Sequence, residues 1–214
     1  MDALLRRRAM IAAGGGSPTP PAPVPVRVEY LQAPADGGAY IDTGIQPTNN
    51  TRIIVGASEI SSTSSFIFGA RVALSNSMFY MQAQVNNGNN GFWCGYRNQV
   101  LFLQGYHSAS HSYGLLGDIK QVFVDSNSVL TFTNTANINC PYNIYIFGVN
   151  KAGTPDTGKG FKIQSFSVWN GSTKIANFIP YRIGDVACMY NDFNDTFYYN
   201  QGTGSLIYGP DLQQ

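Results

Sequence analysis

The chain has 214 residues, with 13 Lys and Arg against 12 Asp and Glu, so its net charge is +1. Charged residues make up 12 % and aromatics 13 %. A nearly neutral chain lacks the basic field that nucleic-acid binding needs. Its aromatic and β-branched content is foreign to disordered sequences. The length suits one domain with a tail, large enough to fold without a metal or disulfide staple.

Composition changes near residue 26. Residues 1–16 (MDALLRRRAMIAAGGG) combine an N-cap, Asp2, with helix formers and a triple-glycine stop, which predicts a short helix. Leu4, Leu5 and Ile11 supply its apolar side, and Arg6, Arg7 and Arg8 its cationic side. Residues 17–25 (SPTPPAPVP) hold five of the eleven prolines, the composition of an extended polyproline spacer. A helix this short is marginal alone in water. The expectation is therefore an attachment peg at 1–16, ordered by docking on something, and a Pro-rich linker at 17–25. The competing readings are a secretory signal, a membrane-surface helix and an unimportant tail. The apolar stretch after the arginines is short for the first two, and no run of eighteen apolar residues occurs.

From residue 26 to 214 short β-branched and aromatic runs recur between Asn, Gly, Ser and Asp clusters. They predict strands at 27–31, 52–58, 65–70, 78–85, 92–96, 100–104, 121–125, 129–133, 142–149, 161–169, 173–180, 186–190 and 196–200. Asn170-Gly171 predicts a hairpin with a type I′ turn. Between residues 161 and 168, Phe161, Ile163, Ser165 and Ser167 are expected on one face, and Lys162, Gln164, Phe166 and Val168 on the other. The fold class that follows is all-β, a two-sheet antiparallel sandwich.

Several segments of this body resemble one family. VEYLQAPADGGAYIDTGIQPTNNTRI at the start, FGAR at 68–71, FKIQSFSVWNGSTKIANFIPYR at 161–182 and VACMYNDFNDTFYYNQGTGSLIYGPDL at 186–212 are similar to concanavalin A-like (LamG-type) jelly-roll domains. Together they reach from one end of residues 28–212 to the other, while the middle, 82–117, departs most. The resemblance implies a curved jelly roll. It also implies the setting of such domains, which occur in tailed-bacteriophage virion proteins and on gut bacterial surfaces. The Leu-Arg-Arg-Arg start with a Pro/Gly linker resembles the virion version, a head fibre or decoration protein.

Chemistry-bearing patterns are few. Polysaccharide-cleaving relatives carry Glu-x-Asp-x-x-Glu, supplying paired carboxylates; the two glutamates here, Glu29 and Glu59, stand alone, so no enzyme is expected. His107 and His111 lack adjacent acids and are expected as solvated loop residues. Cys94, Cys140 and Cys188 form no C-x-x-C and are expected as free buried thiols. Asp192, Asn194 and Asp195 imitate a calcium loop, yet suit a turn equally; no metal or cofactor is expected. The pattern NNGNNGFWCGYRN (86–98) is the candidate sugar platform, with Trp93, Tyr96, Arg97 and Asn90 as its residues. An amide- and tyrosine-rich surface also suits protein contact.

The function expected is thus a bacteriophage virion structural protein on the outer capsid surface, made in the host cytoplasm. Its expected partners are the major capsid or another shell protein through residues 1–16, further copies of itself as a dimer or trimer, and surface glycans, with no nucleic acid and no membrane. The alternative is a glycan-binding adhesin or tail-fibre tip, with a polysaccharide-degrading enzyme behind it.

Overall fold

The computed structural model describes residues 23–60, 64–73, 76–84, 90–107 and 109–213. The attachment residues Leu4, Leu5, Arg6, Arg7, Arg8 and Ile11, and the helix expected over 1–16, lie outside the described residues. In chain order the strands are β1 (Pro25–Arg27), β2 (Leu31–Gln32), β3 (Ile41–Asp42), β4 (Thr51–Ser58), β5 (Ser65–Ala73), β6 (Asn76–Gln84) and β7 (Gly91–Arg97). They continue as β8 (Gln99–Gln104), β9 (His111–Leu116), β10 (Gln121–Val124), β11 (Asn127–Thr131), β12 (Tyr145–Ile146) and β13 (Gly148–Lys151). The last are β14 (Thr154–Thr157), β15 (Lys162–Asn170), β16 (Thr173–Ile183), β17 (Val186–Asn191), β18 (Thr196–Tyr199) and β19 (Ile207–Tyr208). No helix occurs among the described residues.

Two sheets form. The first runs β11-β10-β9-β4-β15-β16-β17-β18, with β1, β2 and β19 added at its margins. The second runs β14-β13-β5-β6-β7-β8, with β3 and β12 attached. Pairing is antiparallel throughout except between β13 and β5. Inner faces of both sheets supply one core, in which Phe166 of β15 meets Phe68 of β5 at 5.6 Å and Phe178 of β16 at 6.0 Å between ring centroids. Edge-to-face pairs of this kind add to the burial of the rings themselves. Cys94, Cys140 and Cys188 are free and buried. Burial pushes the Cys94 thiol up to about 12 and that of Cys188 to about 11, so neither is a nucleophile at neutral pH.

Several details depart from the expectation. β9 was read as loop, but it is a central strand between β10 and β4. Tyr113 and Leu115 point into the core, and the small residues Ser112 and Gly114 point out. The segment 142–149 is not one strand: Phe147 takes φ 64°, its N–H bonds Ile67 C=O, and the chain breaks into β12 and β13. The β15–β16 hairpin exists, but its turn residues are Gly171-Ser172, and only Gly171 has positive φ. That is the pattern of a II′ turn, which needs positive φ only at its first central residue. A type I′ pattern appears instead at Asp125-Ser126, with φ 49° and 69°, between β10 and β11.

The expected alternation on β15 is also corrected. A bulge between Ile163 and Ser165 shifts the register against β4. Phe161 and Ile163 therefore share the core with Phe166 and Val168, and Ser165 points outward. With a side-chain period of two, one extra residue moves everything after it to the other face.

Candidate functional site

On β6 the side chains of Phe79, Met81 and Ala83 enter the main core, which leaves Met78, Tyr80, Gln82 and Gln84 on the outer face of the second sheet. On β7 Phe92, Cys94 and Tyr96 point inward, leaving Trp93 and Gly95 outside. Register then assembles the outer face: Tyr80 pairs with Gly95, Gln82 with Trp93, and Trp93 in turn with Phe102 of β8. Gln104 stands on the same face opposite Gly91.

The Trp93 and Phe102 rings lie 4.9 Å apart, tilted by 51°. Trp93 keeps 36 % of its surface exposed. Its indole N–H donates to Gln84 Oε1, which fixes the ring plane. Gln82 Nε2 donates to Ser64 Oγ at 2.7 Å. The outcome is a braced aromatic surface bordered by amides. Tyr80 continues it toward β5. A Cβ on Gly95 would come within 2.2 Å of Tyr80 Cε1, and one on Gly69 within 2.3 Å of Tyr80 Cβ. The two glycines are the space in which Tyr80 sits. With Phe66, Met78, Val149 and Val100 it forms a second apolar cluster, separate from the main core. Burial raises the Tyr80 phenol above its ordinary value, and the Arg71 guanidinium pulls against that.

The four residues expected at a sugar platform are therefore not one site. Trp93 faces outward. Tyr96 is fully buried in the main core, where its hydroxyl donates to Gly117 C=O at 2.5 Å. Its ring meets Phe79 and Phe132. Arg97 closes β7 with φ 58°; it is 8 % exposed, and its guanidinium lies 4.9 Å from the Tyr96 ring centroid. Asn90, half-buried, precedes β7 and accepts the Gly105 N–H at 2.7 Å through its backbone carbonyl. Tyr80, Gln82, Gln84, Phe102 and Gln104 were missed. The period-two placing of Tyr80, Gln82 and Gln84 in MFYMQAQ was the available signal.

Other expected chemistry dissolves into structure. His111 is not a loop residue: it opens β9, and its Nδ1 lies 2.6 Å from Asp125 Oδ2. Asp125 Oδ1 accepts the Ser112 N–H at 2.9 Å. These bonds, the Ser112 one first, hold the Asp125 carboxyl below its ordinary value. Asp192 accepts from Asn177 Nδ2, and Asp195 from the Tyr190 hydroxyl, so the Asp192–Asp195 segment is a bonded turn. Glu59 accepts from Lys162 Nζ at 2.5 Å. A depression of about 210 Å³ on the outer face of the first sheet is lined by Ile54, Leu116, Phe123, Gly114, Ser112 and Ser126. It offers apolar contact from Ile54, Leu116 and the Phe123 ring, with no side-chain amide.

No family model matches the chain, and no curated protein matches it. Among solved structures it is similar to a protein from Bacteroides ovatus ATCC 8483 to which carbohydrate binding has been ascribed. The TM-score is 0.55 at 9 % identity, over 88 % of this chain. This chain spans 62 % of that protein's length. At that identity the likeness establishes a shared all-β sandwich fold.

Proposed function

We propose that this protein holds glycans weakly on the outer face of its second sheet. The observation that carries the reading is the Trp93–Phe102 pair, 4.9 Å apart, with Trp93 exposed and Phe102 half-buried among Gln82, Gln84 and Gln104. Sugar rings present C–H faces that rest on aromatic planes, and their hydroxyls pair with amides, so an exposed aromatic bordered by glutamines meets both needs. A braced ring also loses little freedom on binding. The carbohydrate binding ascribed to the Bacteroides ovatus protein supports the same reading at the level of fold. The groups on this face suit holding a ligand more than cleaving one.

The setting we propose is a bacteriophage virion. Residues 1–16 would attach to the major capsid or another shell protein, and the jelly roll would face outward as a head fibre or decoration. This part rests on the Leu-rich, triple-arginine start, the Pro-rich spacer and the resemblance of the body to virion jelly rolls. Three free buried thiols fit synthesis in a reducing cytoplasm. Copies linked on one particle would gain avidity from a weak individual site.

A glycan array followed by calorimetric titration tests the binding. Trp93→Ala is expected to lower affinity by roughly tenfold or more, about 1.4 kcal/mol, while the melting temperature stays within a few degrees. Failure to bind any glycan, or undiminished binding by the variant, would overturn it. For the virion part, deleting residues 1–16 is expected to leave a soluble folded body that no longer joins particles; undiminished incorporation would contradict the attachment role.

A further inference from the structure

The glycan-binding face ends at Arg71, and this arginine is built unlike the two outer-surface arginines with carboxylate partners. Arg52 grips Asp118 with Nε and Nη2, and Arg182 grips Asp211 in the same two-pronged way. Arg71 instead has a side chain only 6 % exposed, with its Nε buried and, among the described residues, without a hydrogen-bond partner. Among the described residues the carboxylate nearest to it is that of Asp156, at 4.0 Å, beyond hydrogen-bond range and itself half exposed. Its guanidinium is held by rings: Cζ lies 5.1 Å from the Phe66 centroid and 5.6 Å from that of Tyr80. Buried guanidinium groups are normally paired, because an unmatched planar donor fork is costly to desolvate. Here the rings fix the plane of the fork and leave its donors to another acceptor.

Position supplies the second half of the argument. Arg71 packs on Tyr80, and Tyr80 lies against Gly95, two residues along β7 from Trp93 on the same face. Arginine, tyrosine and tryptophan thus follow one another diagonally across β5, β6 and β7, two strand spacings across and four residues of register along, roughly 16 Å in all. A short oligosaccharide resting on Trp93 would extend along this line to Arg71.

We infer that the glycan held on this face is acidic, and that Arg71 receives its carboxylate or sulfate. The inference rests on the glycan-holding reading given above. Two oxygens of a carboxylate, or two of a tetrahedral sulfate, match the two-donor edge of a guanidinium, which a lysine cannot reproduce. Asp156 is the counter-ion that the incoming anion would displace, and its 4.0 Å separation makes that exchange an easy one.

The test is a glycan array carrying neutral, uronate-bearing, sialylated and sulfated glycans, probed with the wild type, Arg71→Met, Arg71→Lys and Trp93→Ala. The expected hits are acidic, lost in Arg71→Met by about tenfold or more, the scale of one charge-assisted bond, and only partly kept by Arg71→Lys. Whether the hits carry carboxylate or sulfate identifies the anion. A measurement on the unaltered protein runs beside it: homogalacturonan against its fully methyl-esterified form, and dextran sulfate against dextran. The acidic member of at least one pair is expected to bind about tenfold tighter at low salt, with the advantage shrinking as salt rises. Neutral hits that depend on Trp93 but not on Arg71 would overturn this inference and leave the binding face standing. No hits of any kind would overturn both.

Discussion

Trp93 and Tyr96 stand three residues apart on β7 and serve opposite ends, because odd spacing on a strand places side chains on opposite faces. Trp93 is exposed and braced by Gln84. Tyr96 spends its hydroxyl inside, its one proton directed to Gly117 C=O at 2.5 Å with Asn49 C=O alongside at 3.2 Å. Tyr96→Phe removes that one buried donor while filling almost the same space. A loss of roughly 1–3 kcal/mol is expected in urea unfolding, with glycan affinity unchanged. The reverse result, normal stability with lost binding, would return Tyr96 to the ligand site. The Gly- and Asn-rich surroundings of Trp93 agree with its outward position. Those same surroundings say nothing of Tyr96, whose side strand parity decides.

At the scale of elements, β5, β6 and β7 fit together through what two glycines lack. Tyr80 lies over the gap left by Gly69 and Gly95, and from there it links Arg71 to the Trp93 surface. Gly95→Ala would drive a methyl group to 2.2 Å from Tyr80 Cε1, so the ring must move. Overpacking of this sort costs about 1–3 kcal/mol, and glycan affinity is expected to fall with it. A double-mutant cycle with Tyr80→Leu checks the cause: if the two changes add without coupling, the contact is not the reason. The same scale explains why β9 escaped notice. Its outward residues are Ser112, Gly114 and, at its very end, Leu116, so the strand lacks the β-branched density that marks its neighbours. Only the inward pair Tyr113 and Leu115 betrays it. β15 was found, but its bulge was invisible, since nothing local in KIQSFSVW separates a bulge from plain alternation.

For the whole molecule, acid sensitivity follows from carboxylates held ionised across sheet margins. Asp125, bonded to Ser112 and His111, and Asp211, bonded to Arg182, both titrate below their ordinary 3.8 in the folded chain. A depressed folded value means the native state favours the charged form. Its contribution is whole above about pH 5, begins to fall as pH nears the ordinary value, and is lost as pH passes through the folded values. Melting temperature is therefore expected to decline on acidification from about pH 5 toward pH 3, and Asp125→Asn to decline less steeply over that range. A variant slope equal to that of the wild type would rule Asp125 out as a contributor.

The sequence by itself determined that residues 26–214 carry an all-β body, since strand-length runs with turn residues between them admit no helical reading. It also determined that the three thiols would be free, because their number and spacing suit neither a framework nor a zinc site. Tertiary structure alone decided which side chains share a face. Bulges, strand parity and cross-strand register are properties of paired strands, and they brought Arg71, Tyr80, Trp93 and Phe102, from four separate strands, onto one surface. No segment read in isolation contains that alignment, because hydrogen bonding between strands sets it.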